Sequence, residues 1–258
     1  MIQHIVDTSQ DIFPIVVSDL STSPPRTVSF QGMGFLVAPN LLLTCWHSVE
    51  TQLPPGQAYF AGVIQGNQYY RFPLSKIERD QNGSDLATAK VELIPRAGFL
   101  LSEEQGFPGT QVFTFGSPFP EKCRLDSGEP AIKLSPRFFD GYITRPFNYS
   151  HPKYGTTHSY ELSFAAPQGL SGSPLITHGL KIIGVVYGNL DSYTITEEAT
   201  KDPETGEIYP EVRRIVSFGL AFHNEIVCRV CTTGTSRKPL LEFVRTRNTE
   251  KYSRRVIT

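Results

Sequence analysis

Short apolar runs recur along most of the chain, and Gly, Pro, Asn or Asp bounds most of them. β-Branched and aromatic residues dominate these runs, a pattern typical of strands. Many short strands at regular spacing, with few helices between them, indicate an all-β sandwich or barrels. The runs predict strands at Phe13–Val17, Thr27–Val37, Tyr59–Val63, Tyr69–Pro73, Leu86–Val91, Gln111–Phe115, Ala131–Leu134, Gly141–Arg145, Ser159–Phe164, Lys181–Tyr187 and Ile215–Phe222.

Helical periodicity is weak until the end of the chain, where Asn224–Thr232 and Pro239–Arg247 are short helix candidates. Two longer segments interrupt the strand pattern. Leu190–Arg214 is acidic and punctuated by Pro and Gly, which predicts a mobile hairpin. Arg145–His158 is polar and aromatic, and we expect a loop there. From Arg237 onward the chain turns basic, which predicts either a solvated helix and tail, or a docking segment or linker to a further domain.

The chain has 258 residues and a mass of 28.8 kDa, enough for one large domain or two small ones with a real core. Its 24 Lys and Arg balance its 25 Asp and Glu, so the composition provides no general attraction to nucleic acid or acidic lipid. No stretch reaches the roughly 18 apolar residues that a membrane helix requires, and the N-terminus lacks the pattern of a secretory signal. We therefore expect a cytoplasmic protein without nucleic-acid or membrane partners.

Four cysteines are too few for a disulfide framework in a chain of this size, which favours a reducing compartment. Cys228 and Cys231 have a C-x-x-C spacing, but a second ligand pair is missing nearby, and His223 is the candidate third ligand. We interpret these thiols as structural, with a metal or redox site as the alternative, and expect neither a metal nor a cofactor. The loop and strand-end histidines are also expected to be structural: His151, His158, His178 and His223.

A serine between glycines provides the strongest chemical signal. Gly169-Leu-Ser171-Gly-Ser-Pro174 follows the predicted strand Ser159–Phe164 and precedes another at Leu175–Thr177. An ordinary turn explains such a sequence. The alternative is a nucleophile on a tight turn, where the amides of Gly169 and Ser171 point at one place and hydrogen-bond an oxyanion as it develops.

A serine nucleophile requires a base and a group that orients the base, and two upstream segments supply candidates. His47 follows the apolar run Leu41-Leu-Leu-Thr-Cys-Trp, which places it at the end of a buried strand. Asp85, in Gly83-Ser-Asp-Leu-Ala, begins a half-buried strand. Taken singly, each is more often structural. The order of His47, Asp85 and Ser171 along the chain is the informative feature.

This order, with the Gly-x-Gly-Phe, Leu-Thr-x-x-His and Asp-Leu-Ala pieces, resembles the chymotrypsin-like (trypsin-like) serine peptidases. The pieces are most similar to the disulfide-poor bacterial branch, such as HtrA/Deg proteases and glutamyl endopeptidases. The resemblance implies an all-β fold of two packed six-stranded Greek-key β-barrels with a short C-terminal helix. It also implies a triad of His47, Asp85 and Ser171, an oxyanion hole from the amides of Gly169 and Ser171, and peptide hydrolysis through an acyl-enzyme.

The resemblance covers roughly Phe13–Val230 and implies a single peptidase domain over residues 1–258. We expect the N-terminal barrel at about 10–105, the C-terminal barrel at about 106–232, and a helix with a basic tail at about 233–258. Leu170 stands where trypsin has an Asp that pairs with a new N-terminus after zymogen cleavage. Activation by N-terminal cleavage is therefore not expected.

The specificity pocket is inferred by position in the family motif. Ala165 occupies the base, where trypsin carries Asp, and Tyr187, Gly188 and Asn189 belong to the following wall. Because the base lacks a carboxylate, we expect an apolar or small side chain before the scissile bond rather than Lys or Arg. Tyr187 and Asn189 are candidates for polar discrimination, and an acidic preference remains an alternative.

The resemblance implies an active intracellular serine endopeptidase with a protein substrate. A catalytically silent binding module on the same fold is the alternative. Stand-alone domains of this branch resemble effector modules of bacterial signalling and antiviral defence systems. We accordingly expect a regulatory or sensor protein to dock on the basic C-terminal segment or the 190–214 loop. Leu190–Arg214 and Arg145–His158 are expected to control access to the cleft.

Overall fold

In the computed structural model, the first half of the chain supplies one sheet. The structure describes residues 10–23, 25–65, 68–94, 100–124, 130–197, 199–203, 205–209 and 212–255. The strands of this sheet are β1 (Ile12–Asp19), β2 (Arg26–Ala38), β3 (Leu41–Cys45), β4 (Gln57–Gln65), β5 (Gln68–Pro73), β6 (Ser75–Arg79) and β7 (Leu86–Lys90).

The first sheet closes into a barrel through one bent strand. Its hydrogen-bonded order is β5-β4-β1-β2-β3-β7-β6. β5 and β6 are separated by Leu74 alone, so they are two halves of one strand that pairs with β4 at one end and β7 at the other. The closed sheet therefore contains six strands in effect, and closure removes its free edges. Buried side chains such as Ile15, Leu42 and Ala87 fill the interior.

The second half of the chain supplies the remaining strands: β8 (Leu100–Leu101), β9 (Gln111–Gly116), β10 (Glu121–Arg124), β11 (Pro130–Lys133), β12 (Arg137–His151), β13 (Gly155–Leu162), β14 (Pro174–Thr177), β15 (Lys181–Glu197), β16 (Thr200–Lys201), β17 (Ile208–Tyr209) and β18 (Val212–His223). Seven of them form a second sheet with the order β14-β9-β12-β13-β18-β15-β8. An additional pairing between β14 and β15 closes six of these strands, and β8 adds a short parallel pair outside the closure. The predicted double-barrel architecture is confirmed.

Two helices follow the second barrel, close to where the sequence predicts them. They are α1 (Asn224–Arg229) and α2 (Leu240–Arg255). α2 buries Leu240, Phe243 and Val244, whose spacing places them on one face of a helix. This face packs into the cluster of apolar side chains that joins the two barrels.

The prediction of a loop at Arg145–His158 is wrong, because β12 and β13 form a long antiparallel hairpin there. Phe147, Tyr149 and His151 are partly buried, whereas the residues between them are exposed. This alternation is the period of a strand with one covered face. The polar residues of the segment occupy the solvent face, and they conceal the pattern when hydropathy is averaged.

The predicted hairpin at Leu190–Arg214 is present, although its mobility stays a prediction. β15 and β18 extend beyond the barrel as a ribbon as far as the pair Glu197 and Val212. β16 and β17 pair beyond that point. Residues 198, 204 and 210–211 of this segment lie outside the described residues.

Candidate active site

Asp85 is held at the end of a turn that both halves of the chain support. The Asp80 carboxylate accepts hydrogen bonds from the amide of Asn82 at 3.3 Å and the hydroxyl of Ser84 at 2.7 Å. It also accepts the backbone N–H of Cys231, from the second half of the chain, at 2.9 Å. A buried carboxylate with several donors fixes the backbone around it. The turn therefore presents Asp85 at the start of β7 in one position.

His47 lies on a single 3₁₀ turn that follows β3 at the rim of the first barrel. Its backbone N–H donates to Asp85 Oδ1 at 2.9 Å, and its Nδ1 lies 2.6 Å from Asp85 Oδ2. The Asp85 side chain is 3% exposed and the His47 side chain 29% exposed. The two contacts fix the imidazole and favour the tautomer with hydrogen on Nδ1, which leaves Nε2 as a base.

The Ser171 turn inserts against the first barrel, although it belongs to the second. The backbone N–H of Met33 in β2 donates to the carbonyl of Ser171 at 2.7 Å. Gly172 has a φ of +88°, and a Cβ there would lie 1.9 Å from the Met33 carbonyl oxygen. Only glycine fits this position without displacing the backbone. A Cβ at Gly32 would meet both the Ser171 carbonyl and the hydroxyl of Ser48, so Ser171 lies close to the residue after His47.

Gly169 and Ser171 carry the two amides that the sequence predicts as oxyanion donors. Leu170, between them, is fully buried in the core of the second barrel. Gly169 has a φ of +102°, and a Cβ added at this position would lie 2.6 Å from the carbonyl oxygen of Ser117. Within the described part of the chain, neither the Gly169 nor the Ser171 amide donates a hydrogen bond. Buried Leu170 thus anchors a turn whose flanking donors are free for a ligand.

The structure joins two of the predicted triad side chains directly and brings the third to the same cleft. The hydroxyl of Ser171 donates to the backbone carbonyl of Tyr187 at 3.2 Å. Among the described residues it makes no hydrogen bond to His47. A rotation of the serine side chain is therefore required before His47 can accept its proton.

Two hydrogen bonds connect the segments that carry the predicted pocket residues. Asn189 Oδ1 accepts the backbone N–H of Ala166, next to Ala165, at 2.6 Å. The Gly219 N–H donates to the carbonyl of Phe164 at 2.7 Å, so the segment around Ala165 is tied twice to the β15–β18 pair. Gly188 is half-buried beside Asn189.

The Tyr187 ring is buried in the protein interior. It stacks on Phe222 with ring centroids 4.2 Å apart, and its hydroxyl lies 2.9 Å from the Ser159 hydroxyl. Burial raises the pKa of Tyr187 well above its ordinary value, so the hydroxyl stays protonated. Tyr187 contributes its carbonyl near Ser171, while its ring packs in the apolar cluster that joins the two barrels.

The hairpin tip between β12 and β13 contributes residues that sequence reasoning missed. The Tyr154 ring lies parallel to the His47 ring within 30°, with centroids 6.4 Å apart. Lys153 forms an ion pair with Glu50, and the Tyr154 hydroxyl lies 3.2 Å from Glu50 Oε1. The Lys153 hydrogen bond lowers the pKa of the Glu50 carboxyl. The sequence signal for a strand that extends this far is the alternation of the rings of Phe147, Tyr149 and His151 with polar residues.

Two groups of side chains bring potential metal donors within 4.8 Å of one another: Cys45, His47 and Asp85, and His158, His223 and Glu225. Burial raises the pKa of the Cys45 thiol, whose Sγ donates to the Val186 carbonyl. The His158 and His223 rings are stacked, with centroids 3.9 Å apart and planes within 18°. Parallel rings direct their lone pairs side by side rather than at one point, which disfavours a shared metal ion in the histidine group.

None of the described helices has both the length and the apolar character required to cross a membrane.

The family model described as a trypsin-like peptidase domain matches residues 32–185, which include His47, Asp85 and Ser171. No curated protein matches the chain significantly.

Solved structures share the fold at low sequence identity. The active form of the Rv3671c protease from M. tuberculosis superposes with a TM-score of 0.52 at 17% identity, over 85% of this chain and 78% of that one. The MamO protease domain of Magnetospirillum magneticum, in its apo form, has a TM-score of 0.52 at 20% identity, over 86% and 95%. The HtrA-type protease AlgW, solved with a decapeptide, has a TM-score of 0.55 at 12% identity, over 87% and 63%. With the family match over more than half of its length, the chain belongs to the trypsin-like peptidase domain family of serine endopeptidases.

Proposed function

We propose that this chain hydrolyses peptide bonds with Ser171 as the nucleophile, His47 as the general base and Asp85 as the group that orients His47. The observation that carries the proposal is the double contact of Asp85 with His47, through Oδ1 to the backbone N–H and Oδ2 to the ring. A carboxylate that is 3% exposed and satisfied in this way holds the ring in one tautomer and stabilises the imidazolium when it forms.

In the first half of the reaction, Ser171 Oγ attacks the carbonyl carbon of the scissile bond while His47 Nε2 takes the hydroxyl proton. The negative charge develops on the carbonyl oxygen, where the amides of Gly169 and Ser171 are available as donors. The C–N bond then breaks, and His47 returns the proton to the leaving amine. The product of this half is an ester of Ser171.

In the second half, water attacks the ester carbonyl and gives a proton to His47. The same amides stabilise the second oxyanion, and His47 protonates Ser171 Oγ as the acyl group leaves as a carboxylic acid. The enzyme returns to its starting protonation state, so no cofactor is consumed. The requirement for a fixed His47 ring is the same in both halves.

We propose a small side chain immediately before the scissile bond. The bonds from Ala166 to Asn189 and from Gly219 to Phe164 tie the two walls of the predicted pocket together. Walls fixed in this way resist the widening that a long side chain would require. Ala165 at the base provides no charge to compensate.

We propose a reducing, cytoplasmic setting, with activity held in check by a partner. The cysteines support this setting, because all four are free thiols: Cys45, Cys123, Cys228 and Cys231. An effector role in bacterial defence or signalling rests on the resemblance stated above. The 190–214 ribbon, which extends past the barrel, and the basic C-terminal segment are the proposed docking elements for a regulator.

A catalytically silent binding module is the second candidate, favoured by the Ser171 hydroxyl bond to the Tyr187 carbonyl instead of His47. Reaction with a fluorophosphonate probe distinguishes the two. An active triad predicts covalent labelling of Ser171, loss of labelling in Ser171→Ala, and a decrease on the order of 10⁴-fold in hydrolysis for Ser171→Ala or His47→Ala. Full-rate cleavage by Ser171→Ala would exclude the proposed nucleophile. Absence of labelling in the folded wild-type chain would support the binding module.

A further inference from the structure

Residues 230–239 form a strap that links α1 to α2 and contacts the first barrel. The strap lies along the turn that leads to Asp85, and two backbone hydrogen-bond donors join the strap to the turn. The Gln81 N–H donates to the Cys231 carbonyl at 2.9 Å, and the Cys231 N–H donates to Asp80 Oδ1 at 2.9 Å. The turn that presents Asp85 is therefore attached to the C-terminal region of the protein.

The strap also has a buried anchor on β7, the strand that follows Asp85. Thr232 is fully buried, and its hydroxyl lies 2.6 Å from the hydroxyl of Thr88 in β7. At the other end of the strap, the Leu240 N–H at the start of α2 donates to the Val230 carbonyl at 2.8 Å. A displacement of α2 therefore acts directly on the strap, and the strap acts on β7 and on the turn.

Asp80 joins the strap to the turn through both of its carboxylate oxygens. Oδ1 accepts the Cys231 N–H, and it also accepts the backbone N–H and the side-chain amide of Asn82 at 3.3 and 3.2 Å. Oδ2 accepts the hydroxyl of Ser84, the residue directly before Asp85, at 2.7 Å. Asp80 is 4% exposed, and a buried carboxylate with this many donors permits little displacement of any of them.

The position of Asp85 determines the position of His47. The Asp85 backbone carbonyl accepts the Trp46 N–H at 2.9 Å, and its carboxylate accepts the His47 N–H and contacts the His47 ring. A shift of the turn would therefore move or release the imidazole. A misplacement of about 1 Å in a reacting group lowers a rate by about 100-fold, so a small shift at Asp85 has a large effect on acyl transfer.

We infer that Asp80 is a positioning residue for the candidate triad, which acts through Asp85 and couples docking of the strap to the orientation of His47. The inference rests on the proposed peptidase function and extends it to regulation. A regulator that binds the basic C-terminal segment then has a route to the triad, because α2, the strap, Asp80 and Asp85 follow one another through direct contacts. Release of the strap lowers the rate, and docking of the strap restores it.

Saturation kinetics of Ser171 labelling by a fluorophosphonate, measured on the full folded chain, test the role of Asp80. In Asp80→Ala we expect the maximal labelling rate to fall about tenfold or more. The probe concentration at half-maximal rate should stay within about twofold, because Asp80 acts on the reaction and not on binding of the probe. Asp80→Asn should recover to within about threefold of wild type, since its Oδ1 still accepts the Cys231 N–H and its NH₂ donates to the Ser84 hydroxyl.

Glu78→Ala is the matched control. The Glu78 carboxylate also holds the strap, by accepting the Thr233 N–H at 2.7 Å, but it is partly exposed and water replaces the lost bond. We expect its labelling rate to stay within about twofold of wild type. Ser84→Ala removes only the bond between Asp80 and the turn, so it tests the same connection if Asp80→Ala does not fold. We expect at least a threefold fall in its maximal rate.

A double-mutant cycle measures the coupling to the strap. Thr232→Val removes the hydroxyl bonded to Thr88 and leaves Asp80 intact. We expect it to slow labelling about threefold in the wild-type chain and less than about 1.5-fold in Asp80→Ala, or in Ser84→Ala if Asp80→Ala does not fold.

The inference is wrong if folded Asp80→Ala or Ser84→Ala labels at the wild-type maximal rate, or if Asp80→Asn is as slow as Asp80→Ala. It is also wrong if Glu78→Ala is slowed as much as Asp80→Ala, or if the two substitutions of the cycle act independently. These outcomes are distinct from failure of the proposed function, which would appear as a folded wild-type chain whose Ser171 does not react with a fluorophosphonate.

Discussion

His223 provides a quantitative prediction about stability in acid. It is 1% exposed, its ring stacks on His158, and its Nδ1 accepts the backbone N–H of Glu225 at the start of α1. Burial, with a smaller effect of His158 and opposed by Glu225, lowers the pKa of His223 from 6.5 to about 4. Folding therefore keeps this histidine neutral at pH values where the unfolded chain would protonate it.

The direction of the effect follows from proton uptake. Between about pH 6.5 and pH 4 the unfolded chain binds the proton of His223 and the folded chain does not, so stability falls as the pH falls. A shift from 6.5 to about 4 gives a loss of about 2 kcal/mol at pH 5 and about 3 kcal/mol at pH 4, relative to pH 8. Protonation would also remove the acceptor that caps α1.

Denaturant unfolding of wild type and His223→Asn at pH 8, 7, 6 and 5 measures this loss. Asn retains a side-chain oxygen that can cap α1, but it does not titrate. We expect the free energy of unfolding of the variant to fall by about 2 kcal/mol less than that of wild type between pH 8 and pH 5. His178→Asn, at an exposed position, is the control and should follow wild type. Parallel curves for wild type and His223→Asn would refute the reasoning.

Three further substitutions test the placement of the site. Gly172→Ala should destabilise the fold by about 2–4 kcal/mol in denaturant unfolding, because its Cβ would lie 1.9 Å from the Met33 carbonyl oxygen; a wild-type free energy of unfolding would contradict this contact. Leu170→Ala should cost about 2–5 kcal/mol of stability and slow Ser171 labelling, whereas unchanged labelling would show that the oxyanion turn does not depend on this anchor. Lys153→Met should slow the labelling of Ser171 only a few-fold. It should also remove most of the salt dependence of labelling, since salt screens the exposed ion pair between Lys153 and Glu50; a salt response equal to that of wild type would argue against a role for this ion pair.

Much of the architecture is readable from local pattern alone. The runs around Val16, Leu42, Val112 and Val185 alternate or stay apolar over strand length, and each is a strand in the structure. Period and turn residues act over a few positions, so the sequence displays them directly. The hairpin at Arg145–His158 escaped this reasoning because only one of its faces is covered, and that face is lined by aromatic residues between polar ones.

The candidate chemistry was predictable as residue types and order, but not as contacts. His47, Asp85 and Ser171 were named from their motifs, and the structure joins the first two while it directs the Ser171 hydroxyl to the Tyr187 carbonyl. A rotamer choice of this kind depends on neighbours that are remote in the chain. The polar discrimination expected of Asn189 stays a prediction; the structure adds that its side-chain oxygen accepts the Ala166 amide.

By itself, the sequence determined the all-β character, the positions of most strands, and the identity and order of the candidate catalytic residues. The tertiary structure alone decided that β5 and β6 close the first barrel and that the Gly172 turn inserts against Met33. It also decided that the Tyr154 ring lies beside His47. The physical reason lies in the range of the interactions. The position of a strand follows from periodicity over a few neighbouring residues. These contacts instead join residues that are dozens to more than a hundred positions apart, and only the packing of two closed barrels brings such residues together.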